Sequence, residues 1–140
     1  MPFITYPQTN GQVAVIIPAD PSLSIEEIAA KDVPEGVPFK IVDILDIDDA
    51  YFNAYEFHPV DGCKVNIDKA KAIHLDKFRE ARKPMLSKLD VDYMKAIEVE
   101  DHVAASAIAV KKQELRDVTK PPLPDTLQEI KETWPDILKP

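Results

Sequence analysis

A long helical repeat of apolar residues in the second half of the chain constrains the fold more than any other feature. From Asn66 onward, apolar positions recur at alternating three- and four-residue steps, the spacing of one face of an α-helix. This face consists of Ile67, Ala70, His74, Phe78, Ala81, Met85 and Leu89. Because His74 lies on the apolar face, we interpret it as a histidine at the edge of the core rather than as a catalytic base.

Pro84 interrupts this repeat. A proline inside a helix removes one hydrogen bond and collides with the carbonyl of the residue four positions earlier, here Glu80. We therefore expect a kink or a break at Pro84. Beyond it, Leu89, Met94 and Ile97 continue the apolar face.

A second helix is predicted after a chain reversal in the sequence EVEDHV. Asp101 is placed to cap a helix that runs to about Val118. The residues of this helix expected to be buried are Ala104, Ala107, Ile108, Leu115 and Val118. The alanines would let the two helices approach closely, so we predict a helical hairpin over residues 63–120 with charged outer faces.

The start of the chain carries the signals of a β-hairpin. Residues 3–6 and 12–17 are β-prone runs on either side of Asn10-Gly11, a dipeptide typical of tight turns. Pro18 ends the second strand or places it at a sheet edge.

A short helix and a third strand are predicted next. Ser24 stands three residues before Glu27, the spacing of a capping box, and Pro34 stops the helix. A strand around residues 39–42 follows, which completes a mixed α/β N-terminal unit over residues 1–62.

The segment DIDDAYFNAYEF is acidic and then aromatic. Asp46, Asp48 and Asp49 resemble part of a calcium loop, but the glycine and the later glutamate of such a loop are missing. We interpret the aspartates as the carboxylate-rich start of a helix. The aromatic residues are expected to close the core of the N-terminal unit: Tyr51, Phe52, Tyr55 and Phe57.

The last segment, residues 121–140, begins as a stiff proline-rich connector. Asp125 is placed to cap a short helix that carries Leu127, Ile130 and Trp134. Large apolar residues near a chain end need a surface to cover them, either this chain's own helices or a partner. The candidate partner-interface residues are therefore Trp134, Ile137 and Leu138, together with Arg79 and Arg82 from the basic sequence KFREARK. For the two arginines, the competing interpretation is a solvated helix face.

The residue patterns of common active sites are missing from the sequence. His58 and Cys63 are five residues apart with no second pair of ligands, which is a weak zinc pattern. The serines lack the glycine-rich surroundings of a nucleophile elbow, and no phosphate-binding glycine loop occurs. We expect no catalytic residues, no metal and no cofactor, and hence a protein that is not an enzyme.

Charge and composition narrow the classes of partner. Residues 1–62 carry eleven Asp and Glu against two lysines, a net charge of −9, whereas residues 63–140 carry fourteen acidic and fifteen basic residues. Nucleic-acid binding needs clustered Lys and Arg, so we expect none. We also expect no membrane span and no export signal, and thus a soluble protein. The predicted fold class is α+β: a β-hairpin, helix and strand unit, then a helical hairpin and a short C-terminal helix.

Two segments resemble small proteins encoded beside the tail-fibre genes of tailed bacteriophages. In the first, a helix leads into a lysine–aspartate–valine–proline turn and a strand; the matching residues are Lys31, Asp32, Val33, Pro34, Gly36, Pro38, Ile41, Val42 and Asp43. The second resembles the C-terminal region of phage tail-assembly and fibre-chaperone-like proteins. Its matching residues are Arg79, Arg82, Leu89, Asp90, Tyr93, Leu115, Arg116, Asp117, Val118, Thr119, Trp134 and Pro135.

The resemblance implies a non-enzymatic, tail-associated phage protein that binds other virion proteins at the junction of tail and tail fibre. It implies a place in the virion tail, or in the host cytoplasm during assembly. A homo-oligomer or symmetric assembly is expected there. The first alternative is a transient tail-fibre assembly chaperone that is absent from the mature particle. The second is a host-directed inhibitor whose acidic surface imitates nucleic acid.

Overall fold

The structure, a computed structural model, describes residues 2–140. Strands occupy the N-terminal part and long helices the rest, so the predicted α+β class is confirmed. The chain divides into two compact units, Met1–Ala70 and Lys71–Pro140. Each unit has a hydrophobic cluster of its own.

The N-terminal unit is built on a three-stranded antiparallel sheet. Its strands are β1 (Phe3–Pro7), β2 (Val13–Ile16) and β3 (Lys40–Val42), in the order β2-β1-β3. The predicted hairpin is confirmed, with Ile4 opposite Ile16. At its turn, the Gln8 N–H donates to the Gln12 carbonyl over 2.8 Å, and Gly11 supplies the positive φ of +86°.

Helix α1 (Ile25–Asp32) covers one part of this sheet. The Ser24 hydroxyl accepts a bond from the Glu27 N–H over 3.1 Å, and the Glu27 carboxylate accepts one from the Ser24 N–H over 2.9 Å. The predicted capping box is thus confirmed. The buried face of α1, formed by Ile28 and Ala29, packs with Ile4 of β1, which is fully buried.

A second hairpin, absent from the sequence prediction, completes this unit. Strands β4 (Tyr55–His58) and β5 (Gly62–Val65) pair antiparallel. A 3-10 helix (Asp49–Ala54) precedes them, and the Asp48 carboxylate caps it by accepting from the Ala50 N–H over 3.1 Å. The aspartates therefore start a helix as predicted, but a short 3-10 helix. Tyr51 and Tyr55 are buried, which confirms their predicted place in the core.

The C-terminal unit contains most of a single long helix, α2 (Ile67–Glu98), and helix α3 (His102–Asp117). Asp101 caps α3, as predicted, by accepting from the Ala104 N–H over 3.0 Å. Helix α2 continues through Pro84, so no break occurs there. Glu80 and Pro84 are both exposed, and water can therefore satisfy the carbonyl that loses its partner.

The chain ends with helix α4 (Leu127–Glu132) and a second 3-10 helix (Asp136–Leu138). The cap of α4 is Thr126, whose hydroxyl accepts from the Glu129 N–H over 3.3 Å, and the prediction of Asp125 was wrong by one residue. Asp125 instead accepts a hydrogen bond from Lys71 over 2.8 Å. Because α4 begins at Leu127, Asp125 stands one residue before the N-cap position that Thr126 occupies.

Gly62 gives a direct test of the second hairpin. Its φ is +87°, and a Cβ atom at this position would lie 2.9 Å from Val42 Cγ1 and 3.3 Å from Thr5 Oγ1. We expect Gly62→Ala to lower the free energy of unfolding by about 2–4 kcal/mol, since backbone strain and steric overlap add. Urea denaturation measures this.

Gly36→Ala is the matched control, because Gly36 also has a positive φ but nothing lies within 4 Å of the position that an alanine Cβ would take there. Strain alone should cost about 1–2 kcal/mol at this site. Equal losses in the two variants would mean that Gly62 is not packed against Val42.

The contribution of the Glu56 ion pair to stability can be tested by lowering the pH. Hydrogen bonds from Lys69, at 2.9 Å, and from Asn66 hold the pKa of the Glu56 carboxyl below its ordinary value of 4.5. A depressed folded-state pKa contributes stability that is present above 4.5 and is lost as the pH falls through the lowered value. We expect Glu56→Gln to cost about 0.5 kcal/mol at pH 7, as for other exposed ion pairs.

In urea melts of the same variant, this difference should shrink as the pH falls below 4.5 and should vanish once the carboxyl is protonated in both states. Glu35→Gln, an exposed change in the same unit, is the control. A difference that persisted unchanged in acid would show that the ion pair is not its source.

Candidate interaction surfaces

The C-terminal segment folds onto helices of its own unit. The Trp134 ring lies edge-to-face on Phe78, with centroids 5.2 Å apart, and His74 lies edge-to-face on Phe78 at 4.8 Å. The His74 Nε2 atom lies 2.6 Å from the Thr133 carbonyl oxygen and must donate, since a carbonyl only accepts. His74 belongs to the buried face of α2, as predicted, but it lies inside the core, at 2% exposure, and not at its edge.

Leu138 is buried deeply, at 3% exposure, in the cluster formed with Phe78, Leu115 and Val118. Trp134 and Ile137 are half-buried against the same cluster. The sequence left open whether these residues are covered by the chain's own helices or by a partner. In the structure they pack on the chain's own helices.

The two candidate arginines differ in their surroundings. Arg79 is exposed and donates to Asp76 of the same helix over 2.6 Å. Arg82 is half-buried and donates to the carbonyls of Leu115 and Arg116 over 3.3 and 3.0 Å. These carbonyls belong to the last turn of α3, where helices lack internal donors, so Arg82 joins α2 to the end of α3.

His58 and Cys63 do not converge. Phe57 is directly opposite Cys63 in the β4–β5 register, so the side chains of His58 and Cys63 leave opposite faces of the hairpin. The His58 Nδ1 atom accepts from two N–H groups of the turn, over 3.3 and 3.0 Å. Burial, and then the charges of Asp46 and Asp61, raise the pKa of the Cys63 thiol, which disfavours the thiolate that ligates metals.

Residues 2–140 hold neither a cluster of metal ligands nor a helix suited to a bilayer. Within them, no three His, Cys, Asp or Glu side chains come together as a metal site would require. None of the helices in this range combines the length and the apolar character needed to cross a membrane.

The far end of the α2–α3 hairpin exposes apolar side chains, which we call the hairpin-tip surface. Its members are Val91, Met94, Ile97, Val99, Val103 and Val110. Met94 is 57% exposed and Val103 84% exposed. Lys112 of α3 bonds Asp90 over 2.6 Å and lies 5.3 Å from the centre of the Tyr93 ring. Asp90 and Tyr93 thus lie towards α3, whereas Val91, about 100° from Asp90 and about 160° from Tyr93 around the helix axis, points away.

Sequence periodicity missed this surface. Met94 and Ile97 were expected to continue the buried face and Ala107 to be buried, but all three are exposed. The residues of the two helices that are buried near the tip are the small Ala96 and Ala105. The spacing of Val103, Ala107 and Val110, at four and three residues, is the signal that marks a second apolar face on α3.

A groove of about 380 Å³ lies nearer the base of the hairpin, in the C-terminal unit. Met85, Leu89, Leu115 and Ile137 form its apolar floor. Its rim carries the charged residues Lys88, Asp92, Lys111 and Lys139. The size falls within the range of sites that hold a small ligand or a few side chains.

Compared with models of protein families, with curated proteins and with solved structures, the chain matches none of them.

Trp134 tests the docked C-terminal segment. We expect Trp134→Ala to lower the free energy of unfolding by about 2–4 kcal/mol, because its ring packs on Phe78 and His74 and leaves a cavity when removed. Val103→Ala, in the same unit but 84% exposed, should change it by less than about 0.5 kcal/mol.

Thermal and urea melts of the three proteins measure these values. If Trp134→Ala melted like the unsubstituted chain, the docking of the C-terminal segment would be contradicted.

Proposed function

We propose that this protein is a non-enzymatic component of a bacteriophage tail, a structural or adaptor protein that binds other virion proteins at the junction of tail and tail fibre. The phage assignment is supported by the two sequence segments that resemble proteins encoded beside tail-fibre genes. The binding role is supported by the hairpin-tip surface.

The hairpin-tip surface is the observation that carries the binding role. Isolated exposed apolar residues are common, but this hairpin exposes six large ones within residues 91–110, and a concentration of this kind is typical of a protein contact. Both helices that display the surface are fixed at their bases by the Phe78 cluster and by the Arg82 bonds to α3. A surface that is already ordered loses less entropy when it binds.

The turn between the two helices of this surface is acidic. Glu98, Glu100 and Asp101 lie in or next to this turn, and the lysine nearest to it in the sequence is Lys95. We therefore expect the partner surface to combine apolar residues with Lys or Arg. Such complementarity favours fast and specific encounter over high affinity.

A second role, as a transient tail-fibre assembly chaperone, uses the same surface. A chaperone would cover apolar fibre segments until the fibre assembles and would then leave. Both roles require binding to a fibre or tail protein, and they differ in whether the chain stays in the finished particle.

Mass spectrometry of purified virions of the encoding phage separates these roles. We expect the chain in a fixed small-integer ratio to the other tail proteins, as symmetric assembly requires. Absence from virions, with abundance in the infected lysate, would overturn the structural role. A chaperone would then be recovered from the lysate with the fibre protein, and an acidic inhibitor with a host DNA-binding protein.

Met94→Asp tests the surface itself. The charge should leave the melting temperature within a few degrees, because the side chain is exposed, yet it should weaken co-purification with the tail-fibre protein of the same phage at least tenfold. Val60→Asp, the same kind of change at a 69% exposed position of the β4–β5 turn, is the matched control. Equal retention of the fibre protein by both variants would contradict the assigned surface.

A further inference from the structure

The groove in the C-terminal unit has an apolar floor and a rim that is mostly basic. Its floor consists of aliphatic side chains and a thioether, and Leu115 at its base is 1% exposed. Lysines 88, 111 and 139 on the rim outnumber Asp92. An occupant that matches this groove has at least one aliphatic side chain for the floor and carboxylates for the rim.

Two of the three rim lysines form no ion pair within residues 2–140. Lys139 is neutralised by Asp136, 2.7 Å away. Within residues 2–140, Lys88 and Lys111 have no carboxylate partner within ion-pair distance, and both are exposed. Their charges are therefore available to an incoming acidic group.

The chain itself contains a segment of this chemistry. The loop that joins β3 to the first 3-10 helix, taken together with the first residue of that helix, is Asp43–Asp49 and has the sequence DILDIDD, with four carboxylates and no basic residue. Ile44, at its start, is 84% exposed, although isoleucine is among the residues most often buried. Asp43 and Asp46 are exposed and have no ion-pair partner within residues 2–140.

We propose that the groove of one copy binds the Asp43–Asp49 loop of a second copy. Ile44 lies on the floor beside Leu89 and Ile137, and the loop carboxylates lie beside Lys88 and Lys111. The proposal goes beyond the proposed function, because it concerns contacts between copies of this chain and not contacts with a fibre protein.

The contact joins two different surfaces, so it is head-to-tail. Such contacts close into a ring when the rotation between copies divides a full circle, and otherwise form open chains. A groove of about 380 Å³ buries little surface, so a single contact is weak and falls in the micromolar range or above. Closure of a ring would strengthen it by multivalency.

Sedimentation velocity of the full chain, from about 1 µM to about 1 mM, tests the association, since that range brackets weak interfaces. We expect self-association that rises with concentration and falls with added salt, because exposed charges are screened. Two double variants should each stay monomeric up to a protein concentration at least tenfold higher than the unsubstituted chain does. One is Lys88→Glu with Lys111→Glu in the groove, and the other is Asp43→Lys with Asp46→Lys in the loop.

A mixture of the two variants is the decisive test of the contact between loop and groove. The unchanged loop of the first then meets the unchanged groove of the second, and the reversed loop meets the reversed groove. We expect the mixture to associate although neither variant does so alone. Lys95→Glu, an exposed α2 lysine outside the groove lining, is the control and should leave association unchanged.

Circular dichroism and melting temperature confirm that each variant is folded. A chain that is monomeric at every concentration would overturn the proposal, as would association that survives both double substitutions. A labelled peptide of residues 42–50 provides a second readout. If it bound the groove while the chain stayed monomeric, the occupant would be another acidic segment and the contact between copies would be wrong.

Discussion

Contacts of the Phe78 ring organise the C-terminal unit. Its edge-to-face partners are His74, one turn earlier on α2, and Trp134, more than fifty residues later in the sequence. Leu115 and Val118 from the end of α3 and Leu138 from the second 3-10 helix complete the cluster. One buried ring therefore joins the two long helices and the C-terminal segment, and removing such a ring from a core typically costs about 3–5 kcal/mol.

This arrangement determines which surfaces are left for partners. Because the cluster lies at the base of the α2–α3 hairpin, it uses the apolar residues of that end and of the C-terminal segment. At the distal end the Lys112–Asp90 ion pair joins the two helices and the small residues Ala96 and Ala105 are buried, whereas larger apolar side chains remain exposed. The hairpin is thus divided into a base whose apolar residues stabilise the fold and a tip whose apolar residues are exposed.

Much of the fold could be predicted because its signals are local. The Ser24–Glu27 capping box, the Asn10-Gly11 turn and the Asp101 cap each depend on residues within four positions of one another, and all three occur in the structure. The second hairpin was missed although Asp61-Gly62 is a recognised turn dipeptide. Tyr55 and Phe57 were predicted to lie in the core, but they are also residues of strand β4.

The surfaces were harder to predict, because they depend on how far two helices stay in contact. Periodicity placed Met94 and Ile97 on the same face as Leu89, but a face is buried only where another element covers it. The groove depends on residues from α2, α3 and the last residues of the chain, which no local pattern connects. The hydrogen bonds of Arg82 could not be predicted for the same reason, since their acceptors are carbonyls more than thirty residues away in the sequence.

The division of the hairpin depends on the C-terminal segment being folded onto the Phe78 cluster, while the apolar side chains of the hairpin tip stay exposed. Amide hydrogen exchange tests it most directly. The Ile130 and Leu138 amides, which donate to Thr126 and Pro135, should exchange as slowly as amides in α3, and Phe78→Ala should abolish the protection of both. Exchange of both amides at the rate of an unfolded chain would contradict the account, because the segment would then be free to bind a partner through Trp134.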